Sequence, residues 1–370
     1  MGIYHELGLQ PIINAAGTYT VLGGSRMTDE TLEAMRQAAN GFIPIRDLQK
    51  AVHRAIAELT RNEAAYVPNG AATGLYLAVA AAIQIRLNKR FFYLSRDEIA
   101  RTNIVVFKAH RNPYDLVVEN LGSTFRELSF PNNILPPTLE DLDNAIDDNT
   151  AAVYFAASGW VAPGFLPLEQ VIAIADKKNV PVLVDAAAQL PPVENLWNYS
   201  NMGATVTLFS GGKDLKGPQA SGLMVGKRSF IDVVTQIGFP NYGIGRMMKV
   251  GREEMVGLYS AIKQYVTMDH QARHDWCEEQ IKRVRDGLAG NPVFRVERSF
   301  PNEAGQPIAR AFVALADTAN SPESLQAFLR EGTPPIYAYT ENRNGVYINP
   351  MSLRDGEVDV IIERLREFGR

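Results

Sequence analysis

The chain has 370 residues, a formal net charge of −4, 46% apolar and 21% charged residues, which are globular values with room for a large domain and a smaller one and not those of a disordered chain. No lysine or arginine run is longer than two residues and Cys277 is the only cysteine of the sequence; a nucleic-acid footprint, a disulfide framework and a cysteine metal site are therefore not expected. The N-terminal stretch "MGIYHELGLQPIINAAG" lacks a signal-peptide pattern and the apolar stretch "GLYLAVAAAIQI" is too short to span a bilayer, so a cytoplasmic protein with no membrane partner is expected.

Residues 1–50 read as an arm with one helix, "TDETLEAMRQA". From 51 to 250, apolar runs rich in Val, Ala, Leu and Phe ("NIVVFKAH", "AAVYFAAS", "VPVLVDAAA", "ATVTLFSGG", "GLMVG") alternate with helical patterns such as "LEQVIAIADKKN". Continuous apolar strands between helices predict an α/β domain whose mostly parallel sheet is covered on both faces. From 251 to 370 the pattern becomes two long helices over 251–289, strands "VFRVERS" and "IARAFVALA", a helix "SPESLQAFLREG", a strand pair "PIYAYTEN" and "GVYINP", and a terminal helix. That layout predicts a smaller α+β domain.

The chemistry-bearing residues follow the strands. Asn69, Gly70, Ala71, Ala72 and Thr73 open an apolar helix in "VPNGAATGLYLAVAAAI". Backbone N–H groups at such a start can cradle a phosphate, though an ordinary capped helix reads the same way. His110 follows "NIVVFKA", and Asp185 ends "VPVLVD", where parallel sheets bind ligands; taken singly, Asp185 could equally cap the next helix. Lys213 lies in "FSGGKDLKGPQASGLMVG" after an apolar strand, flanked by Gly211 and Gly212, which would let backbone approach a ligand. It does not fit a Walker loop. A partly desolvated lysine is a nucleophile toward an aldehyde, and a carboxylate such as Asp185 facing a pyridine nitrogen strengthens that ring as an electron sink. Together they point to pyridoxal 5'-phosphate. The five histidines carry no metalloprotease spacing, so no metal is expected.

The order cradle, histidine, aspartate, lysine followed by a small domain resembles the fold-type I pyridoxal-phosphate enzymes, with a seven-stranded-type large-domain sheet. "INAAGTYTVLGGSRM", "IRDLQKAVHRAIAELTRNEAAYVPNGAATGL", "VLVDAAAQLPP" and "FSGGKDLKGPQASGLMVG" narrow this to the selenocysteine-synthase-like family of seryl-tRNA(Sec) selenium transferases and D-glucosaminate-6-phosphate ammonia-lyases. The resemblance implies that Lys213 carries the cofactor as an aldimine, Asp185 pairs with the pyridine nitrogen and His110 stacks on the ring. Ser210 with Gly70, Ala71 and Ala72 would hold the phosphate. Gly217, Pro218 and Gln219 would serve a neighbouring subunit, implying a homodimer or larger assembly with shared active sites.

The substrate expected is a small amino acid or amino sugar acid. Arg354, in the small domain, is the leading carboxylate ligand, with Arg46 as a competitor; Arg246 and Lys249 suit a second anionic group such as a sugar phosphate. The "HRNPYD" and "SGGK" stretches favour the ammonia-lyase side, with α,β-elimination through a quinonoid giving a 2-keto acid. A racemase, epimerase or aminotransferase, a selenium-transferase-like enzyme on aminoacyl-tRNA, and a noncatalytic scaffold are the alternatives.

Overall fold

The computed structural model describes residues 2–129, 135–159, 166–316 and 320–368. They form two compact units, one of Met27–Met268 and the other of Met1–Arg26 with Asp269–Arg370. The strands in chain order are β1 (Ile13–Asn14), β2 (Ala64–Tyr66), β3 (Asn103–Phe107), β4 (Thr124–Leu128), β5 (Thr150–Ala156), β6 (Val182–Asp185), β7 (Val206–Ser210), β8 (Gly222–Gly226), β9 (Phe294–Ser299), β10 (Arg310–Leu315), β11 (Ile336–Tyr337) and β12 (Gly345–Ile348).

In the larger unit, a seven-stranded sheet runs β2-β8-β7-β6-β5-β3-β4. Only β8 opposes its neighbours; the adjacent pairs among the others are parallel. The two-residue period of the strands sorts their side chains into two cores. Ile104, Val106, Tyr154, Leu183 and Leu208 enter the core on the side of helix Ala71–Arg86. Val105, Phe107, Phe155, Val184 and Phe209 enter the core that holds helix Ile45–Leu59 and Leu258 and Ile262 of helix Arg252–Thr267. Helix Ala71–Arg86 is buried through most of its length, from Gly74 to Ile83, which explains why its sequence reads as apolar without a stripe.

Boundaries near 50 and 250 were expected from the sequence; the compact units divide at 26/27 and 268/269 instead. The helices Asp29–Ala39 and Arg252–Thr267 pack on each other inside the larger unit. Thr28 Oγ1 donates to Gln264 Oε1 at 2.9 Å and Gln264 Nε2 donates to Thr31 Oγ1 at 3.0 Å.

The smaller unit has a three-stranded antiparallel sheet, β12-β10-β9, with its own core of residues such as Ile281, Val313, Leu325 and Ile361. The stretches "PIYAYTEN" and "GVYINP" do not form the expected pair of strands: β11 runs parallel to β1, β12 pairs with β10, and a single bridge, Tyr339 to Tyr347, joins them. A Cβ on Gly345, the first residue of β12, would stand 2.8 Å from Ala314 Cα of β10 and closer still to the Val313 carbonyl oxygen, so this pairing needs glycine there.

Candidate active site

Because β2, β3, β5, β6 and β7 are parallel, their carboxyl ends emerge on one edge of the sheet, where open α/β sheets bind ligands. That edge carries the start of helix Ala71–Arg86 after β2, Ser210 at the end of β7, Asp185 at the end of β6 and His110 after β3. Lys213 stands three residues beyond β7.

The helix start suits a phosphate. Its N-cap is Gly70, with φ of 149° and no side-chain cap, and the first intrahelical bond runs from Gly74 N to the Gly70 carbonyl. The N–H groups of Ala71, Ala72 and Thr73 therefore have no helical acceptor and form the positive end of the helix dipole. Asn69 Oδ1 beside them is buried without a hydrogen-bond donor among the described residues; a half-turn of that amide offers its NH2 to a bound anion. The sequence reading missed what holds this loop open, namely Gly222, the residue across from Ser210 in the β7–β8 ladder. A Cβ there would lie 2.6 Å from Gly70 C and 2.9 Å from Ala71 N, both backbone atoms. A glycine inside an apolar strand is the signal that could have found it. Gly222→Ala is expected to weaken pyridoxal-phosphate binding about 10- to 100-fold, from ~1–3 kcal/mol of overpacking, with the sheet retained; a spectroscopic titration with the cofactor measures it.

The lysine loop is closed on itself. The Lys216 N–H donates to the Lys213 carbonyl at 3.0 Å, with Lys216 in the left-handed region at φ of 55°. Gly217 N donates to the Gly211 carbonyl at 2.9 Å and Gly211 N to the Ser221 carbonyl at 3.0 Å. Gly211 and Gly212 do not open a path for a ligand, as their spacing suggested; a Cβ on Gly212 would stand 2.6 Å from Gln219 Cα and one on Gly211 2.0 Å from Ser221 Oγ. They let residues 217–221 fold back over the turn. Gly217 and Pro218 are consequently buried, and of the three residues expected to face a partner subunit only Gln219 is exposed. Behind the turn, Tyr265 OH donates to Asp214 Oδ2 at 2.7 Å, both residues buried, so the residue next to Lys213 is tied to helix Arg252–Thr267.

Asp185 is partly buried and its Oδ1 accepts from Ala187 N at 3.0 Å, its Oδ2 from Tyr154 OH at 3.1 Å. Burial pushes the carboxyl above its usual range, against the pull of the Ala187 N–H, the Lys213 charge and the Tyr154 hydroxyl. Lys213 and Asp185 thus feel each other. His110 is buried, with its ring edge-on to Phe155 at 4.6 Å and Phe107 at 5.2 Å. Its Nδ1 accepts from Ala156 N at 3.2 Å, which assigns the proton of the neutral ring to Nε2. Burial lowers its pKa to about 4, so it is an uncharged aromatic at neutral pH. A second histidine, His53, unassigned from sequence, sits under the cradle: its Nε2 accepts from Val67 N at 3.2 Å, and burial lowers it also to about 4.

The four candidate anion ligands are all exposed. Arg46 lines a cavity of about 610 Å³ together with Arg90, Phe92, Tyr93 and Tyr242, a set that joins it to the loop leading to Arg246. Arg90 was not singled out in the sequence. The Arg246 guanidinium lies 5.6 Å from the Phe239 ring centroid. Arg354 belongs to the smaller unit, where its N–H donates to Glu357 Oε2 at 2.8 Å; the same carboxylate takes a bidentate pair from Arg26. Also in that unit is Arg310, buried between Glu303 and Glu341 and over the Tyr347 ring. Among the described residues no cluster of metal-ligating side chains occurs and no helix is long and apolar enough to cross a membrane.

The chain is similar to several known proteins. The chain is 29% identical over 375 residues to a D-glucosaminate-6-phosphate ammonia lyase of Salmonella typhimurium, covering 99% of this chain and 97% of that protein. It is 27% identical over 376 residues to a 5'-C-glycyluridine monooxygenase-decarboxylase of a Streptomyces species, covering 99% and 91%. A solved structure of D-glucosaminate-6-phosphate ammonia-lyase superimposes with a TM-score of 0.84 at 27% identity, over 99% of this chain and 98% of that one. The fold is that of fold-type I pyridoxal-phosphate enzymes, and the protein is an enzyme that uses this cofactor. The cradle, the paired Lys213 and Asp185 and the ring-sized aromatic edge of His110 suit that group. The profile of the L-seryl-tRNA selenium transferase family matches residues 12–277, and the chain belongs to that family.

Proposed function

We propose that the protein is an ammonia-lyase acting on a small amino acid or amino sugar acid by α,β-elimination. The observation that carries this reading is the meeting, on one sheet edge, of an amine, a partly buried carboxylate and an uncapped helix start. The match along nearly the whole chain to a lyase of an amino sugar acid phosphate supports the reaction type.

Pyridoxal phosphate supplies an aldehyde that links to amines and a ring that draws electron density from the α-carbon. The N–H groups of Ala71, Ala72 and Thr73, with Asn69, Gly70 and Ser210, hold its phosphate without a basic side chain. Lys213 would hold the aldehyde, Asp185 would keep a proton on the ring nitrogen, and His110, uncharged, would offer its ring to the cofactor. With a substrate bound, the Lys213 Nζ would be the base that takes the α-proton. The β-substituent then leaves with its bonding pair, and the enamine released takes up water to give a 2-keto acid and ammonia. General-base help of this kind contributes about 10²–10⁴-fold.

Arg354 is proposed to grip the substrate carboxylate. Arg46, Arg246 and Lys249 are proposed for a second anionic group, a role that a fork of donors or a flexible ammonium fills well. In the same reading, Gln219 reaches a neighbouring subunit of a homodimer or larger assembly.

A panel of amino acids, D-isomers and phosphorylated amino sugar acids, D-glucosaminate 6-phosphate included, tests the reading by parallel assay of keto-acid release and α-deuterium exchange from solvent. Keto-acid and ammonia release in equal amounts from a phosphorylated amino sugar acid is the expected result. Exchange without release would replace the lyase by a racemase or epimerase.

A further inference from the structure

Beyond its first residue, Thr150, strand β5 is hydrocarbon except at Tyr154, which is buried, with 1% of its surface exposed, on the helix Ala71–Arg86 side of the sheet. A phenol enclosed among apolar side chains must find a partner for its O–H. It finds Asp185 Oδ2 across the β5–β6 pair at 3.1 Å, because register places Tyr154 beside Leu183 and Ala156 beside Asp185. The phenol oxygen in turn accepts from Asn112 Nδ2 at 2.9 Å, and that same Nδ2 donates to the His110 carbonyl at 3.0 Å. Asn112 is itself fixed: its Oδ1 accepts from Tyr114 N at 3.0 Å, and its N–H donates to Asp115 Oδ2 at 3.0 Å. The motif "HRNPYD" is thereby joined to the strand-end carboxylate through one tyrosine.

We infer that Tyr154 and Asn112 are positioning residues for the cofactor pocket, the Tyr154 hydroxyl holding Asp185 in its charged form and Asn112 locking that hydroxyl to the segment that carries His110. The inference rests on the reading that Asp185 faces the ring nitrogen.

The direction of the effect follows from the donors. Asp185 is pushed toward its neutral form by burial, and each N–H or O–H pointed at it restores the charge. The tyrosine is a one-way donor here, since burial and the neighbouring carboxylate push its phenol far above the usual range. A charged Asp185 leaves the proton on the ring nitrogen. Without the Tyr154 hydroxyl the enclosed carboxyl takes a larger share of that proton, by about 10- to 100-fold for one hydrogen bond to a charged group.

The experiment is 15N NMR of the holoenzyme loaded with pyridoxal phosphate labelled at the ring nitrogen. In Tyr154→Phe, which keeps the ring and its packing, the signal is expected to move from the protonated toward the unprotonated position. In Asn112→Ala it is expected to move in the same direction by less. Asp185→Asn serves as the reference. If Asp185→Asn moves the signal while Tyr154→Phe leaves it at the wild-type position, the inference is overturned and the site reading stands. If Asp185→Asn itself leaves the signal unmoved, the site reading fails first. Thermal unfolding of each loaded variant, expected to stay near wild type for Tyr154→Phe, separates a shifted proton from a damaged fold.

Discussion

Lys213→Ala is expected to lower turnover by at least about 10²–10⁴-fold, the contribution of a positioned general base, and to remove the near-visible absorbance that a lysine-linked pyridoxal phosphate gives the protein. The fold should survive. The turn that carries Lys213 is made by backbone bonds, Lys216 N to Lys213 O and Gly217 N to Gly211 O, and is tied down by Asp214 through Tyr265; none of these uses the lysine side chain. Thermal unfolding of the variant checks that the fold is retained. The variant also removes a positive charge that opposes the effect of burial on Asp185, so the carboxyl rises further and the cofactor is held less tightly as well as non-covalently. Absorbance and turnover that persist in a well-folded Lys213→Ala protein would sink the assignment of Lys213, and with it the proposed reaction.

The residues that the sequence made visible are those whose neighbours along the chain betray them. Asp185 ends an apolar strand, Lys213 and His110 follow others, and a small-residue helix start follows β2, so a continuous apolar run closed by a polar residue was enough to place them at one sheet edge. Strands β3, β5, β6, β7 and β8 were legible for the same reason. Two strands of the seven-stranded sheet were not: β2 spans only Ala64–Tyr66, and β4, "TFREL", is partly exposed and polar, so neither has a long apolar run. The supporting residues depend on register across the sheet, which no local pattern carries. Gly222 matters because β8 lies beside the Gly70 backbone, Tyr154 because β5 pairs with β6, and His53 because helix Ile45–Leu59 passes under the end of β2. Gly211 and Gly212 show the opposite error. Their presence was legible and their purpose was not, because the chain segment that they make room for, residues 217–221, comes later and returns by a turn that only the three-dimensional path reveals.

The buried histidines His53 and His110 are expected to make stability fall in mild acid, before the exposed carboxylates titrate. His53 and His110 are each lowered from an ordinary 6.5 to about 4 by burial, and each neutral ring accepts a backbone N–H, from Val67 and Ala156. Protonation would cost that acceptor as well as charge an enclosed ring. A depressed histidine means that the unfolded chain binds more protons than the folded one between these two values, so stability is full above about pH 6.5 and is lost as pH falls toward 4. For one histidine the loss at pH 5 is about 2 kcal/mol, reaching about 3 kcal/mol below pH 4. Two of them take a large part of a typical 5–15 kcal/mol. Asp185 works in the other direction: its carboxyl is raised, so protonating it relieves the cost of burial and its contribution improves as pH falls. A difference between two proteins removes that background. His53→Gln keeps an acceptor for Val67 N and cannot titrate, and His53 lies in a helix outside the proposed cofactor contacts. Urea unfolding of wild type and His53→Gln at pH 7.5 and pH 5.0 should therefore show the variant losing about 2 kcal/mol less than wild type between the two conditions, with unchanged slopes. Parallel losses in the two proteins would mean that His53 is already charged, or already solvated, in the folded chain, and the packing of the cradle on helix Ile45–Leu59 would have to be looser than its 3.2 Å contact describes.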